Sequence, residues 1–290
     1  KMSDLTDQEK AKAHLEALYS DIADPDLRNS VVSMALSVAK KKPKPEATPE
    51  INPLRTIQLE LWDDEKRASP NAFFRSALFP AMNPKQKENR PFLDAEKLFS
   101  VSGIEAFFTG KQFDQSDLDV YLELLNLAKP FELGTPIRFS AYSLLKVLGL
   151  TAGGANHKRL HAVLVRLRGG TIDITDHKTR YFGGLIEGGF RDEITNDYEI
   201  TINPKFAVLF GSGMWSSIDH AQRQALGRDA TAKALQAYYA THINPAFHKF
   251  ETLALIVGLT DNNPRKIKLT LIKAHDRLKE AGFLLAYEVQ

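Results

Sequence analysis

Twice along this chain a short helical run closed by a glycine is followed, after a brief turn, by a basic helix, and this recurrence limits the fold more than any other feature. In the first instance Ser140 caps a run to Leu148, Gly149 ends it, and a helix from Ala155 to Arg168 follows until Gly169-Gly170. In the second, Lys249 to Val257 is ended by Gly258, and Pro264 opens a helix through Ala281, ended by Gly282. A longer helix precedes each pair. One opens at Ser116, carries Leu118, Tyr121, Leu122, Leu125 and Leu127, and stops at Lys129-Pro130; the other is capped by Asp229 and runs through Thr241. Strand-like runs follow the first triplet (Thr171 to Thr175, Tyr181 to Phe190, Tyr198 to Ile202), and one, Phe283 to Tyr287, follows the second. Three helices and a hairpin make a winged helix-turn-helix. The expected fold is therefore α+β, with tandem winged-helix domains, the second having a truncated wing.

At 290 residues, 43% hydrophobic and 26% charged, the chain has room for two domains. Leu5 to Asp24 and Asp26 to Lys40 read as two helices of an N-terminal arm. The run Lys40 to Pro53, KKKPKPEATPEINP, reads as an extended linker, because its prolines lack backbone donors and its lysines repel. Thr56 to Asn89 mixes apolar clusters with Pro70, Pro80 and Pro84, as short elements docked on something larger would, and Leu98 to Thr109 reads as a strand or hairpin. The division expected is 1–53 arm and linker, 54–96 docking segment, 97–215 first winged helix and 216–290 second. There is no apolar run of membrane-spanning length and no signal-peptide centre at the N-terminus, so the expected compartment is the cytoplasm, without membrane contact. The absence of cysteine excludes disulfides, thiolate metal sites and a cysteine nucleophile.

The net charge of +2 hides an uneven distribution. Residues 155–180 hold Lys158, Arg159, Arg166, Arg168, Lys178 and Arg180 against Asp173 and Asp176, a local +4. Residues 265–279 hold Arg265, Lys266, Lys268, Lys273, Arg277 and Lys279 against Asp276, a local +5, so the remainder of the chain carries −7. Leu160, Leu164 and Leu167 form a buried stripe on the first basic helix, leaving Asn156, Lys158, Arg159, His161, Arg166 and Arg168 outside. On the second, Ile267, Leu271, Ala274 and Leu278 make the stripe, with Arg265, Lys266, Lys268, Lys273 and Arg277 on other sides. Such helices fit the major groove of double-stranded DNA, where Arg and Lys reach guanine edges and Asn reaches adenine, and wing residues Lys178 and Arg180 would touch the adjacent backbone.

Motifs for catalysis are missing. No G-x-x-x-x-G-K-[ST] run offers a phosphate cradle, and Gly183 to Gly189 lacks the strand–turn–helix context of one, reading instead as a bent or bulged strand. His157 and His161 lie one turn apart as in zinc proteases, but Lys158 stands where the general-base Glu would be. No H-x-H occurs, so Tyr238-Tyr239 reads as helix core rather than as a nicking nucleophile. No enzyme activity, cofactor or metal is expected.

The runs Gln58-Leu59-Glu60-Leu61-Trp62-Asp63 and Arg75-Ser76-Ala77-Leu78-Phe79 resemble the Q-L-S-L-F-D and R-S-A-L-F runs of the TrfA family of plasmid replication initiators. Weaker similarity continues through Pro136 to Ser140 and Ala207 to Phe210 to Leu278 to Leu284. The resemblance implies two winged-helix domains that bind directly repeated origin sites, iterons, and help open an adjacent AT-rich duplex. It also implies recruitment of the host's DnaA, replicative helicase and sliding clamp, and exchange between dimer and monomer. Gln58, Leu59, Leu61 and Trp62 match the Q-L-x-L-[FW] form of clamp-docking peptides, with Gln58 at the pocket rim and Leu61 and Trp62 in an apolar cleft; a strand packed on the protein's own domain is the alternative. In the family this segment is tied to single-stranded origin DNA, a role that Glu60 opposes. Arg75 to Phe79 reads first as structural, its apolar residues covering the first domain, with a phosphate contact as a second reading for Arg75. A transcriptional repressor, which needs the basic helices but no clamp peptide, is the alternative function.

Overall fold

The computed structural model describes residues 12–14, 16–17, 20, 24–40, 59, 62–176, 179–211, 214–243 and 247–289. It divides into two units, 1–55 and 56–290. In the first, α1 (Pro25–Lys40) is the expected second arm helix; Asp24 supplies its cap by accepting from the amides of Asp26 and Leu27 at 2.9 and 3.3 Å. The linker and most of the expected first arm helix lie outside the described residues.

The second unit opens with β1 (Lys66–Pro70), a short α2 (Asn71–Phe74) and α3 (Pro84–Glu88), then the hairpin β2 (Phe92–Leu98) and β3 (Ile104–Lys111). Next come α4 (Gln115–Ala128), β4 (Ile137–Ser140), α5 (Ala141–Val147) and the basic α6 (Gly154–Gly169). Strands β5 (Thr171–Asp176), β6 (Thr179–Gly183), β7 (Ile186–Arg191) and β8 (Asp197–Ile202) follow, then a 3-10 helix, Pro204–Phe210. The chain continues through β9 (Trp215–Asp219), α7 (His220–Ala225), α8 (Ala230–Tyr239), α9 (Phe250–Ile256) and the second basic helix, α10 (Pro264–Glu280).

The strands after α6 do not form one hairpin. β5 and β6 extend the β2–β3 hairpin into a four-stranded antiparallel sheet ordered β2-β3-β5-β6, while β7 and β8 pair with β4 in a three-stranded sheet ordered β4-β8-β7. Alternation decides this: Ile172 and Ile174 face the core beside Phe108 and Ala106, and Ile200 and Tyr198 sit opposite Ile137 and Phe139. The glycine-rich run bulges, as expected, with a register shift between Ile186 and Gly188. β1 pairs with β9, so the docking segment and the stretch before α7 share a two-stranded sheet.

The helix ends follow the local chemistry. Ser140 Oγ accepts from the Ser143 amide at 3.1 Å, Asp229 from Ala232 at 2.9 Å, and Asn263 from Arg265 and Lys266 at 3.0 and 3.4 Å. The α4 cap is Asp114 rather than Ser116, because a reciprocal box with Asp117 satisfies more amides than a serine could. Gly149 and Gly258 close α5 and α9 with φ of 68° and 69°, the left-handed conformation that glycine adopts without strain. Gly170 is different: its backbone is extended, and a Cβ there would lie 2.6 Å from the Phe113 ring, so close packing requires it.

Two apolar clusters result. One gathers Phe73, Phe108, Phe113, Tyr121, Leu160, Leu164, Leu167 and Phe206; the other gathers Leu235, Tyr238, Leu253, Val257, Leu271, Ala274 and Leu278. The strand expected at Phe283 to Tyr287 does not form. The amides of Phe283 and Leu284 turn back onto the Leu278 carbonyl at 3.0 and 3.2 Å and both side chains pack on the second cluster, so no backbone edge faces a partner strand.

Candidate nucleic-acid interface

Helix α6 buries Leu160, Val163, Leu164 and Leu167. Lys158, Arg159, His161 and Arg168 are exposed, and the three cations among them form no ion pair with a described residue. Arg166 departs from expectation. Its guanidinium donates to both oxygens of Asp117, Nε at 2.9 Å and Nη2 at 2.5 Å, with only 11% of its side chain exposed. It points toward α4 and not outward, because helical periodicity sets it one turn from the buried Val163. Asn156 is also engaged, its amide donating to the Thr151 carbonyl at 2.8 Å and hydroxyl at 3.1 Å, which ties the α5–α6 turn to the helix start. His161 Nδ1 lies 3.3 Å from the Tyr198 hydroxyl.

On α10, Arg265, Lys273 and Lys279 are exposed and form no ion pair with a described residue. Lys266 pairs with Asp261, Lys268 stands 5.2 Å from the centre of the Phe250 ring, and Arg277 bonds Glu280 at 2.6 Å and the Ala225 carbonyl at 3.0 Å. The hydrogen bond from Lys266 holds the Asp261 carboxyl below its ordinary value. These pairs are exposed and cost little to open, so they subtract less from the surface than the buried Arg166 pair.

The two cations expected on a wing are not found on the hairpin beside α6. Arg180 lies on β6, in the four-stranded sheet, and bonds Asp173 on β5 through Nε at 2.7 Å and Nη2 at 2.8 Å, lowering the Asp173 pKa. Lys178 lies outside the described residues. The hairpin beside α6 is β7–β8, whose tip carries Asp192, Glu193 and Asp197 around an exposed Ile194. The Asp192 carboxylate accepts from the amides of Thr195 and Ile194 at 3.0 and 2.7 Å, which lowers its pKa and keeps the tip anionic. A tip of that charge repels phosphate.

In the docking segment, Gln58 and Leu61 lie outside the described residues. Leu59 and Trp62 are buried in the first apolar cluster. Trp62 stacks 6.4 Å from Phe210, lies 6.1 Å from Trp215, and donates from its indole to Asn126 Oδ1 at 3.3 Å, while Lys129 Nζ donates to its carbonyl at 2.9 Å. The aromatic anchor is thus engaged by the protein's own core, in line with the self-packed alternative. Arg75 is likewise committed, donating to the Thr241 hydroxyl at 2.9 Å and carbonyl at 2.6 Å.

What sequence reasoning did not find is the ionic hub on α4. Asp114 bonds Arg90 and Lys87; Asp117 takes Arg166 and Arg90; Asp119 takes Arg223 and Lys233, each at 2.7 Å; Glu123 takes Arg67 at 2.8 Å and His220 at 3.1 Å. Burial disfavours the charges on Asp114 and Asp119, yet their cations prevail and hold both carboxyls low, whereas burial pushes Asp117 up with Asp114 adding to it. The only sequence signal was four acids at helical spacing on an otherwise apolar helix. Through Asp119 this hub joins α4 to α7 and α8. Among the described residues no cluster of metal-ligating side chains occurs, and no helix is long and apolar enough to cross a membrane.

Fold and surface therefore define an α+β protein that carries two basic helices, each with part of its charge free. Residues 32–289 match the model of the family described as TrfA protein, and the chain belongs to that family. It is 26% identical over 243 residues to the plasmid replication initiator protein TrfA of Escherichia coli, an alignment that covers 80% of this chain and 63% of that protein. The chain thus spans less than two thirds of that relative's length. Among solved structures it is similar to domains 2 and 3 of RctB, with a TM-score of 0.50 at 13% identity, covering 73% of this chain and 85% of that one. This second likeness is one of fold.

Proposed function

We propose that this chain is a plasmid replication initiator that binds repeated duplex sites, iterons, at its origin through two winged-helix units. The observation that carries the reading is the pair of basic helices. α6 and α10 are each the third helix of a helix, short helix, basic helix unit, and each presents unpaired cations on its solvent face, in a chain of the TrfA family. For the first unit, the order β4-β8-β7 with α5 and α6 between β4 and β7 supports the winged-helix reading, in which the β5–β6 pair is an insertion. In the second unit no strand follows α10 among the described residues. The DNA contacts then reduce to Lys158, Arg159, His161 and Arg168 on α6 and Arg265, Lys273 and Lys279 on α10. Lys266, Lys268 and Arg277 join only if they leave their present partners. Domain limits at about 97–215 and 216–290 belong to the same reading.

The protein acts without catalysis or cofactor, by wrapping and melting duplex and by gathering host DnaA, helicase and clamp, in the cytoplasm, as dimer or monomer. The test is binding of the full chain to a duplex carrying direct repeats from the origin of its own plasmid, against a scrambled duplex, over a range of salt. Preference for the repeats with a slope of about −0.9 per phosphate contact is expected. Equal, weak binding to both would sink the reading.

A specific observation favours the repressor as second reading: Trp62, the anchor of the clamp motif, is buried at 7% exposure. Clamp docking requires Trp62 to leave Phe210 and Trp215. Binding of purified clamp to the full chain, lost on Gln58→Ala, supports the initiator; operator binding without any clamp binding supports the repressor.

A further inference from the structure

Resting on the reading of α6 and α10 as DNA-reading helices, we propose that Val165 and Leu269 are specificity residues that read thymine 5-methyl groups in the major groove. Each is the only large apolar side chain exposed on its basic helix, Val165 at 56% and Leu269 at 59%. Each lies in a row of free cations. On α10, Arg265, Leu269 and Lys273 follow at i, i+4 and i+8; on α6, Lys158, Ala162, Val165 and Arg168 follow at i, i+4, i+7 and i+10. Both rows lie on the side of the helix away from its buried stripe, which is Leu160, Val163, Leu164 and Leu167 on α6 and Leu271, Ala274 and Leu278 on α10.

The diversion of Arg166 makes the inference sharper. With its guanidinium bound to Asp117, the middle of the α6 solvent row offers Ala162 and Val165, neither of which has a hydrogen-bonding group. A helix laid in the major groove as the third helix of a homeodomain is laid brings mid-helix positions of its solvent row to the base edges and its C-terminal end to the backbone. Cations at the row ends then take phosphates or guanine edges, and the aliphatic centre meets the one apolar feature a base edge presents, the thymine methyl. An exposed aliphatic side chain facing water gains nothing there; facing a methyl group, it removes both from water. A single large exposed aliphatic side chain between cations on each of two helices with no sequence repeat between them (Val165 in LVRLR, Leu269 in KLTLI) is what a shared ligand would impose.

The experiment begins with the consensus duplex that the full chain selects from a randomised library. Its thymidines are then replaced one at a time by deoxyuridine, which deletes the 5-methyl and keeps every hydrogen-bonding group. The wild-type chain is expected to lose about fourfold in affinity at particular positions, the factor that burying one methyl group carries. Val165→Ala should become indifferent to deoxyuridine at one set of those positions and Leu269→Ala at another. Both should melt as the wild type does, since both side chains are exposed. A chain that selects a consensus yet tolerates deoxyuridine everywhere overturns the proposal and leaves the initiator reading standing, as does retention of every deoxyuridine effect in both variants. If no consensus emerges, the DNA-reading assignment itself falls and takes this inference with it.

Discussion

Helices α6 and α10 have similar sequence signatures and differ in what holds them. α6 is fixed from one side by a buried, two-pronged ion pair between Arg166 and Asp117, while α10 docks through an apolar stripe and keeps its ion pairs, Lys266 with Asp261 and Arg277 with Glu280, at the surface. A formal charge of one kind therefore serves two ends. On α6 it sets the orientation of the helix; on α10 it remains available to a polyanion. Counting cations along a basic run overstates the surface it presents, because a buried carboxylate on a neighbouring helix claims the ones that face inward.

The difference can be broken most severely at Asp117. Asp117→Ala leaves Arg166 and Arg90 without their shared acceptor in a buried site, and a loss of about 3–5 kcal/mol is expected in urea unfolding. Asp261→Ala, the matching lesion at α10, should leave the unfolding midpoint unchanged. Equal effects would show that the two helices are held alike. Trp62→Ala probes the same half of the molecule through packing, with an expected cost of about 3–5 kcal/mol by the same measurement; a neutral result would mean that this segment is free to dock elsewhere.

Acid separates the halves by pH window. Burial lowers the pKa of His242, His248 and His275 around α8 and α10; at His275 burial prevails over the Nδ1 hydrogen bond to the Leu271 carbonyl at 2.7 Å, which works the other way, and in the neutral tautomer Nε2 accepts from the Tyr239 hydroxyl at 2.8 Å. Groups lowered on folding take up fewer protons folded than unfolded, so their contribution is complete above the unfolded value of 6.5 and declines as pH falls below it. Asp114 and Asp119, lowered from 3.8, yield only in stronger acid, with Asp117 working in the opposite sense. The unfolding midpoint should drop between about pH 7.5 and about pH 5.5, and His275→Phe should flatten that drop. A midpoint constant over this range would contradict the assignment.

The smallest effects are on the salt dependence of DNA binding. Arg168→Ala and Lys273→Ala should each reduce the slope of log affinity against log salt by about 0.9, whereas Lys266→Ala, whose ammonium is already shared with Asp261, should reduce it less. Equal reductions for Lys273 and Lys266 would erase the distinction between free and paired cations.

By itself the sequence determined what depends on neighbours a few residues away. The caps at Ser140 and Asp229, the start at Pro264, the glycine stops at Gly149 and Gly258, the apolar stripes of both basic helices and the bulge near Gly188 were all legible, because caps, turns and helical periodicity are local. The family was legible as well, in Gln58 to Asp63 and Arg75 to Phe79. Strand partnership was not: β5–β6 and β7–β8 read as consecutive hairpin material, and only the competition between the β2–β3 edge and β4 assigned them to different sheets. Ion pairing was not legible either, since Arg67 meets Glu123, Arg166 meets Asp117 and Arg223 meets Asp119 across 56, 49 and 104 residues. A charge advertises no partner at that separation. Whether Arg166 and Trp62 face a ligand or the protein itself was decided by the tertiary structure, through burial, which removes water as the competing partner; for the exposed Arg180 it was decided by strand pairing, which sets Asp173 on the neighbouring strand beside it.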